Sequence, residues 1–335
     1  MTGEQRPGGP PLIAAEVLSE THWDIKSNSI TDLCAESVAA HPAALRSVAH
    51  YTQGALDFVI RPKDSTLLPS PRGGQSDPVI VEGRPGRHLV VCTEDLNRSL
   101  ERFGTGELMR VVIGTAGGGM YCARIRAGQY LTGVTRSGET VDALDRTLNG
   151  VVRRIRTQVH SLPDENLGGD VDSSPRALEA ASALNFVTTT DPEGDGAEDM
   201  LGETWRRFVN PVDLQYAALY RRWSLLCAGD AFDDPGLYVR LLGVPSSTRR
   251  TMYRDLAVRL RADVTRLRHA LRPVTEAPIE RLVLDVQEGA VYIHWLGQDT
   301  GTFLLGVTVE QPRVAEAETR LRDLGRTLLT LPSLL

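Results

Sequence analysis

Apolar and polar positions change period along the chain, and each change marks an element. LMRVVIG (Leu108 to Gly114) and MYCARIR (Met120 to Arg126) read as two short strands joined by the turn Gly117-Gly118-Gly119, and GQYLTGVT (Gly128 to Thr135) reads as a third. The period then lengthens. Val141, Leu144, Leu148, Val151, Ile155 and Val159 fall on one stripe of a helix. The same succession returns 173 positions on from Gly128: RLVLDV (Arg281 to Val286), AVYIHWL (Ala290 to Leu296), GTFLLGVT (Gly301 to Thr308), then a stripe of Val314, Ala317, Leu321, Leu324 and Leu328. Both units predict strand, strand, strand, helix, and two such units point to an internal duplication. In the shared octet the aromatic and β-branched residues suit a core strand, and Gly133 and Gly306 leave room for a helix packed closely above it.

Upstream, the apolar spacing predicts a helix over Ile30 to Thr52, kinked near Pro42, and a strand over Ala55 to Pro62. A second strand is expected at HLVVCT (His88 to Thr93), followed by a short helix capped by Thr93; Ser65 to Pro78 reads as an exposed loop. The order is helix, two strands, helix, three strands, helix. In the second half, residues 198 to 272 read mainly as helix: one run from Pro211 to Gly229, and a longer one opened by Ser246-Ser247-Thr248 and stopped by Pro273. Composition sets the boundaries. A Gly- and Pro-rich tail (1–12) precedes a first module (13–163); an acidic linker (164–199) leads to a helical segment with a second module (200–335). The expected fold class is α/β of the α+β kind, two antiparallel-sheet modules with flanking helices and a helical insert.

This order resembles that of the roadblock family, named for dynein light chains, and its longin- or profilin-like relatives. The resemblance rests on ALDFVIRPKDS as a strand running into a turn, on GQYLTGVT before the closing helix, and on the element order of residues 30 to 160; in the second half residues 279 to 331 match. It implies modules that pair with one another and that act as non-enzymatic scaffolds or regulators of small Ras-like GTPases. Sensor folds of the PAS and GAF type share an antiparallel sheet with flanking helices, so a ligand-sensing domain is an alternative.

Charge adds one feature. The chain carries a formal net charge of −6, yet Arg249 to Arg272 holds eight arginines against Asp255 and Asp263. Such a helix either presents a solvated face or meets an anionic partner, an acidic protein or nucleic-acid phosphate. Arg249, Arg250, Arg254, Arg261 and Arg268 are the expected partner-binding residues. No helix-turn-helix, zinc-finger or RNP pattern accompanies them, and Tyr253 is the one ring in the run, so a protein partner or self-association stands ahead of nucleic acid.

Catalytic chemistry finds little purchase. Only Lys26 and Lys63 are lysine, and neither lies in a phosphate-binding loop. The glycine run at Gly117 joins two strands and lacks the helix N-terminus of a phosphate cradle. Cys34, Cys92, Cys122 and Cys227 are scattered among apolar neighbours and read as small buried residues. Asp230, Asp233 and Asp234 read as turn and cap residues; Asp191, Asp195 and Gly196 open a calcium-like loop that puts Gly202 where the bidentate glutamate belongs. No H-E-x-x-H spacing or nucleophile elbow occurs, and His294 reads as a hydrogen-bonded strand residue. A non-enzymatic protein without metal or cofactor is the expectation. No secretory signal and no membrane-length apolar run is read, so a cytoplasmic protein is expected.

Overall fold

Runs that are apolar on both faces become central strands, and amphipathic runs become the helices that cover them. The structure is a computed structural model describing residues 14–24, 29–63, 65–66, 68, 77–164, 184–189, 197–297 and 301–330. The expected tail, most of the Ser65 to Pro78 loop, most of the acidic linker and the calcium-like loop's opening residues lie outside the described residues.

In chain order the first half contributes β1 (Ala15–Ser19), α1 (Ser29–Ala40), β2 (Ser47–Thr52), β3 (Ala55–Pro62), α2 (Pro78–Leu100), β4 (Leu108–Thr115), β5 (Gly118–Arg126), β6 (Gln129–Thr135) and α3 (Val141–Arg154). The second contributes β7 (Asn185–Thr188), α4 (Ala197–Phe208), β8 (Tyr216–Arg221), β9 (Ser224–Asp230), a short α5 (Tyr238–Leu241), α6 (Ser246–Leu271), β10 (Ile279–Val286), β11 (Gly289–Trp295), β12 (Thr302–Thr308) and α7 (Val314–Leu329). The twelve strands of the described residues form one antiparallel sheet, ordered β1-β3-β2-β6-β5-β4-β10-β11-β12-β8-β9-β7. Matching β7 to β12 with β1 to β6 makes that order a palindrome about the β4/β10 seam. The fold is mixed helix and antiparallel sheet, as expected.

Several elements differ from the sequence reading. The helix expected over Ile30 to Thr52 ends at Ala40, and Ser47 to Thr52 is strand β2. The strand expected at His88 to Thr93 lies inside the 23-residue α2, which continues to Leu100. The helical run expected from Pro211 to Gly229 is the hairpin β8/β9, and Leu184 to Val187, read as linker, mostly belongs to edge strand β7. In the first half the strand pair is therefore β2 and β3 in place of β3 and His88 to Thr93, with β1 added before the first helix, and the second half gains the strand pair that its sequence had hidden.

The sheet separates two apolar layers. α2 and α6 cover one face, where Leu89, Leu96, Tyr253, Leu260 and Leu267 pack on Tyr51, Val111, Tyr216 and Leu284. α1, α3, α4 and α7 cover the other. The octet glycines sit under the closing helices. A Cβ at Gly133 would come 2.1 Å from Leu148 Cδ1, and one at Gly306 would come 2.7 Å from Leu321 Cδ2, so each glycine sets the helix-to-sheet spacing. In the hairpins β2/β3 and β8/β9 the turn residues Gln53 and Gly54, and Arg222 and Trp223, all have positive φ, as tight antiparallel turns with matching twist require.

Candidate partner-binding face

Three places gather polar chemistry: the seam, a histidine cluster near β2, and the outer face of α2 and α6.

At the seam, Val112 of β4 pairs directly with Val283 of β10, so the local two-fold passes between them. Two residues before each valine stands an arginine. Arg110 is fully buried; its Nη1 donates to Asp145 Oδ1 of α3 at 2.6 Å and its Nε to Asp285 Oδ2 of β10 at 3.1 Å. Arg281 donates from Nε to Glu318 Oε1 of α7 at 2.5 Å and from Nη1 to Asp142 Oδ1 of α3 at 2.6 Å. Arg322 closes this second group, reaching Glu318 and Asp142 at 3.0 and 3.1 Å. Burial pushes the Asp285 carboxyl up to about 8, against the pull of Arg110. Of the two carboxyls, Asp145 makes the shorter contact with Arg110. Glu318 goes the other way: Arg281 and Arg322 outweigh its burial and hold it well below the usual range. The network joins the halves; Arg110, Asp145 and Asp285 are sealed from solvent, whereas Asp142 and Arg322 are partly exposed and occupied by ion pairs.

Near β2, His50 Nδ1 lies 2.7 Å from Asp57 Oδ2, Thr52 donates to the same oxygen at 2.7 Å, and His22 Nε2 lies 3.0 Å from Oδ1. His294, read as a hydrogen-bonded strand residue, is buried 3.4 Å from Glu318. The four cysteines are free; three are buried, Cys92 is half-buried, and burial pushes the Cys34, Cys122 and Cys227 thiols up to about 12, far from thiolate chemistry. Asp234 caps the turn at Pro235, accepting from Gly236 N at 2.8 Å. Among the described residues no group of three or more His, Cys, Asp or Glu side chains could hold a metal ion, and no helix is long and apolar enough to cross a membrane.

The five arginines singled out in the sequence share α6 but not one surface. Arg249 is buried, its Nε donating to Val244 O at 3.3 Å. Arg250 is occupied by Asp230, through two bonds of 2.7 and 2.8 Å, and by Asp233 at 2.5 Å. Arg254 is half-buried, with its Nε enclosed. Arg261 and Arg268 reach solvent, as do Arg259 and Arg272. α2, where the sequence suggested a strand, lies antiparallel beside α6: Asp95 accepts from Arg266 at 2.5 Å, and the rings of His88 and His269 stack 5.9 Å apart at an interplanar angle of 21°. The paired helices bring Arg84, Arg87, Ile80 and Val91 onto the face that α6 alone was expected to form. Sequence could have found Arg84 and Arg87 only by reading Pro78 to Leu100 as one helix. Ile80, Val91 and Val258 are 58%, 52% and 62% exposed, so the face mixes cations with apolar contacts.

Compared with known proteins, the chain matches no family model and no curated protein.

Proposed function

We propose that the chain is a non-enzymatic interaction scaffold or regulator, cytoplasmic, whose α2/α6 face carries a protein partner, and that the first partner class to test is a small Ras-like GTPase. The observation that carries this reading is the palindromic sheet. Each half repeats the order strand, helix, two strands, helix, three strands, helix, and β4 pairs with β10 as two roadblock-like modules would pair in a dimer. That repetition supports an internal duplication, with the pairing partner supplied within the chain. A protein already paired with itself keeps its outer helical face for others. α2 and α6 form a continuous face there, and its exposed Ile80, Val91 and Val258 favour a protein surface over a phosphate backbone, which offers nothing apolar to cover.

The test is surface plasmon resonance with the full chain immobilised and a panel of purified small Ras-like GTPases, each loaded with GDP or a GTP analogue. Saturable binding that depends on the loaded nucleotide is expected for at least one of them. No saturable binding by any overturns the GTPase assignment. A random-sequence DNA duplex run in parallel tests the nucleic-acid alternative, whose mark is affinity falling steeply with salt.

A further inference from the structure

The α2/α6 face is not equally charged along its length. The antiparallel helices meet at Asp95 and Arg266, and this contact divides the face into two ends. At the end formed by the last turns of α2 and the first half of α6, Arg98, Arg102 and Arg259 stand among Glu94, Asp95, Glu101 and Asp255, and Arg98 is paired with Asp95. Charges there are balanced. At the opposite end Arg84 and Arg87 of α2 and Arg268 and Arg272 of α6 surround the stacked His88 and His269 rings, and no carboxylate of the described residues forms an ion pair with any of these four arginines. Among the described residues, Glu20 and Glu276 are the acids that line the two clefts at this end, and Asp77 caps α2 there.

Two clefts open beside the histidine pair. One of about 310 Å³ is lined by Leu56, Ile80, Val91, Arg84, Arg87 and His88. The other, of about 470 Å³, is lined by Arg268, His269, Arg272, Leu271, Ala277 and Pro278. Each combines two guanidinium groups with an apolar floor, and the histidine stack is the saddle between them.

We infer that this end of the face is a binding site for an acidic peptide segment of a partner protein, with carboxylates on the four arginines and apolar side chains in the two clefts. The inference rests on the scaffold reading and names the part of the face that would recognise the partner. Charge complementarity selects an anion, because cations without partners gain most from one. The apolar lining selects a peptide over a nucleic acid, since a phosphate backbone leaves Ile80 and Val91 uncovered. Burial, together with Arg84, His269 and Arg87, holds His88 below the usual histidine range. Glu20 on the loop after β1 is the one acid lining its cleft, while Arg268, Arg272 and Glu276 stand on the far side of His269. A carboxylate bound on the saddle favours the imidazolium form. Binding therefore takes up a proton, and affinity rises as pH falls.

The experiment is fluorescence anisotropy on the full chain with a dye-labelled peptide of about 16 residues, built of glutamate with leucine at helical i, i+3 and i+4 positions. An all-glutamate peptide and a DNA duplex serve as comparison probes. The leucine-bearing peptide is expected to bind most tightly, and between about pH 8 and pH 6 more tightly as pH falls. R84Q/R87Q/R268Q/R272Q is expected to weaken it by at least about tenfold, and V91E, at an exposed position, to weaken it by repulsion; R98Q/R259Q at the balanced end leaves it unchanged. H88Q/H269Q removes the pH dependence. Circular dichroism establishes that each variant is folded. Equal losses from both ends, tighter binding of the duplex, or no peptide binding overturns the inference. If a GTPase binds the chain and survives the fourfold arginine variant, the site is wrong and the scaffold reading stands. If the peptide binds through the four arginines but no protein partner is found, the site stands and the scaffold reading fails.

Discussion

The two halves place an arginine at the same point of the seam and neutralise it in different ways. Register fixes the correspondence: Val112 and Val283 pair with Tyr121 and Tyr292, which pair with Gly133 and Gly306 of the shared octets, so Arg110 and Arg281 are equivalent. Asp145 of α3 and Glu318 of α7 stand at the same distance beyond those glycines. In the first half Arg110 is sealed from water between two carboxyls. In the second, Arg281 keeps 10% side-chain exposure and shares Glu318 and Asp142 with Arg322. One frame thus supports two electrostatic solutions. Loss of Arg110 leaves Asp145 with Arg281 at the longer distance of 3.7 Å, while the shared group retains Arg322 at 3.0 Å from Glu318 and some access to water.

Arginine removal breaks this comparison hardest. Arg110→Met leaves the buried Asp145 with Asn149 at 3.2 Å and Arg281 at 3.7 Å and is expected to cost about 3–5 kcal/mol in urea unfolding, whereas Arg281→Met, with Arg322 still on Glu318, is expected to cost about half as much. Equal losses would show that exposure and Arg322 do not relieve the second half. The octet glycines come next. Gly133→Ala and Gly306→Ala each overpack a closing helix, at about 1–3 kcal/mol, with the larger loss at Gly133, where the approach is closer.

The seam carboxyls sharpen the comparison through pH. Asp285 holds its proton more tightly folded than unfolded, so its contribution is fully present below its ordinary carboxyl value and is lost as pH rises to about 8. Glu318 has the opposite sign, contributing above its ordinary value and losing that contribution as pH falls. Thermal unfolding of Asp285→Asn from about pH 5 to 9 should show a flatter decline than the parent protein, with the variant gaining relative stability at the alkaline end. A parallel decline in both proteins would mean that Asp285 does not titrate in that window. The smallest effects lie on α6. Arg250→Gln frees the nearly buried Asp230 and is expected to cost about 1–2 kcal/mol by urea unfolding, while the solvent-facing Arg261→Gln should change stability by less than about 0.5 kcal/mol.

What could be read from sequence divides along the same line. β4 to β6, β10 to β12, α3 and α7 were legible because a β-rich triplet followed by a clean helical stripe is a combination that few other folds produce. β8 and β9 were not. Both faces of this hairpin are largely covered, which erases the alternation of apolar and polar residues, and its turn uses Arg222 and Trp223 at positive φ in place of the glycine or asparagine that usually marks such a turn. In α2 the apolar run Leu89-Val90-Val91-Cys92 looks like a strand, and Gly83, Pro85 and Gly86 look like helix breakers, although all lie within one helix. The candidate site suffered accordingly. Arg261 and Arg268 were legible as basic positions, but half of the face lies on a helix whose identity depends on packing against the sheet. The seam arginines left a fainter trace, a single charge at matching places in two otherwise apolar strands.

The seam also governs what either half would be alone. β4 and β10 are each other's outer neighbours, so a chain divided between residues 164 and 184 would yield two pieces, each with a long apolar strand edge bare. Such pieces would be obligate complements: co-expressed, they should reassemble through that edge, and expressed singly, each should recruit whatever strand it meets, including its own copies. The covalent join therefore works as a built-in chaperone, fixing a one-to-one ratio and keeping each half's adhesive edge occupied from the moment the second half folds.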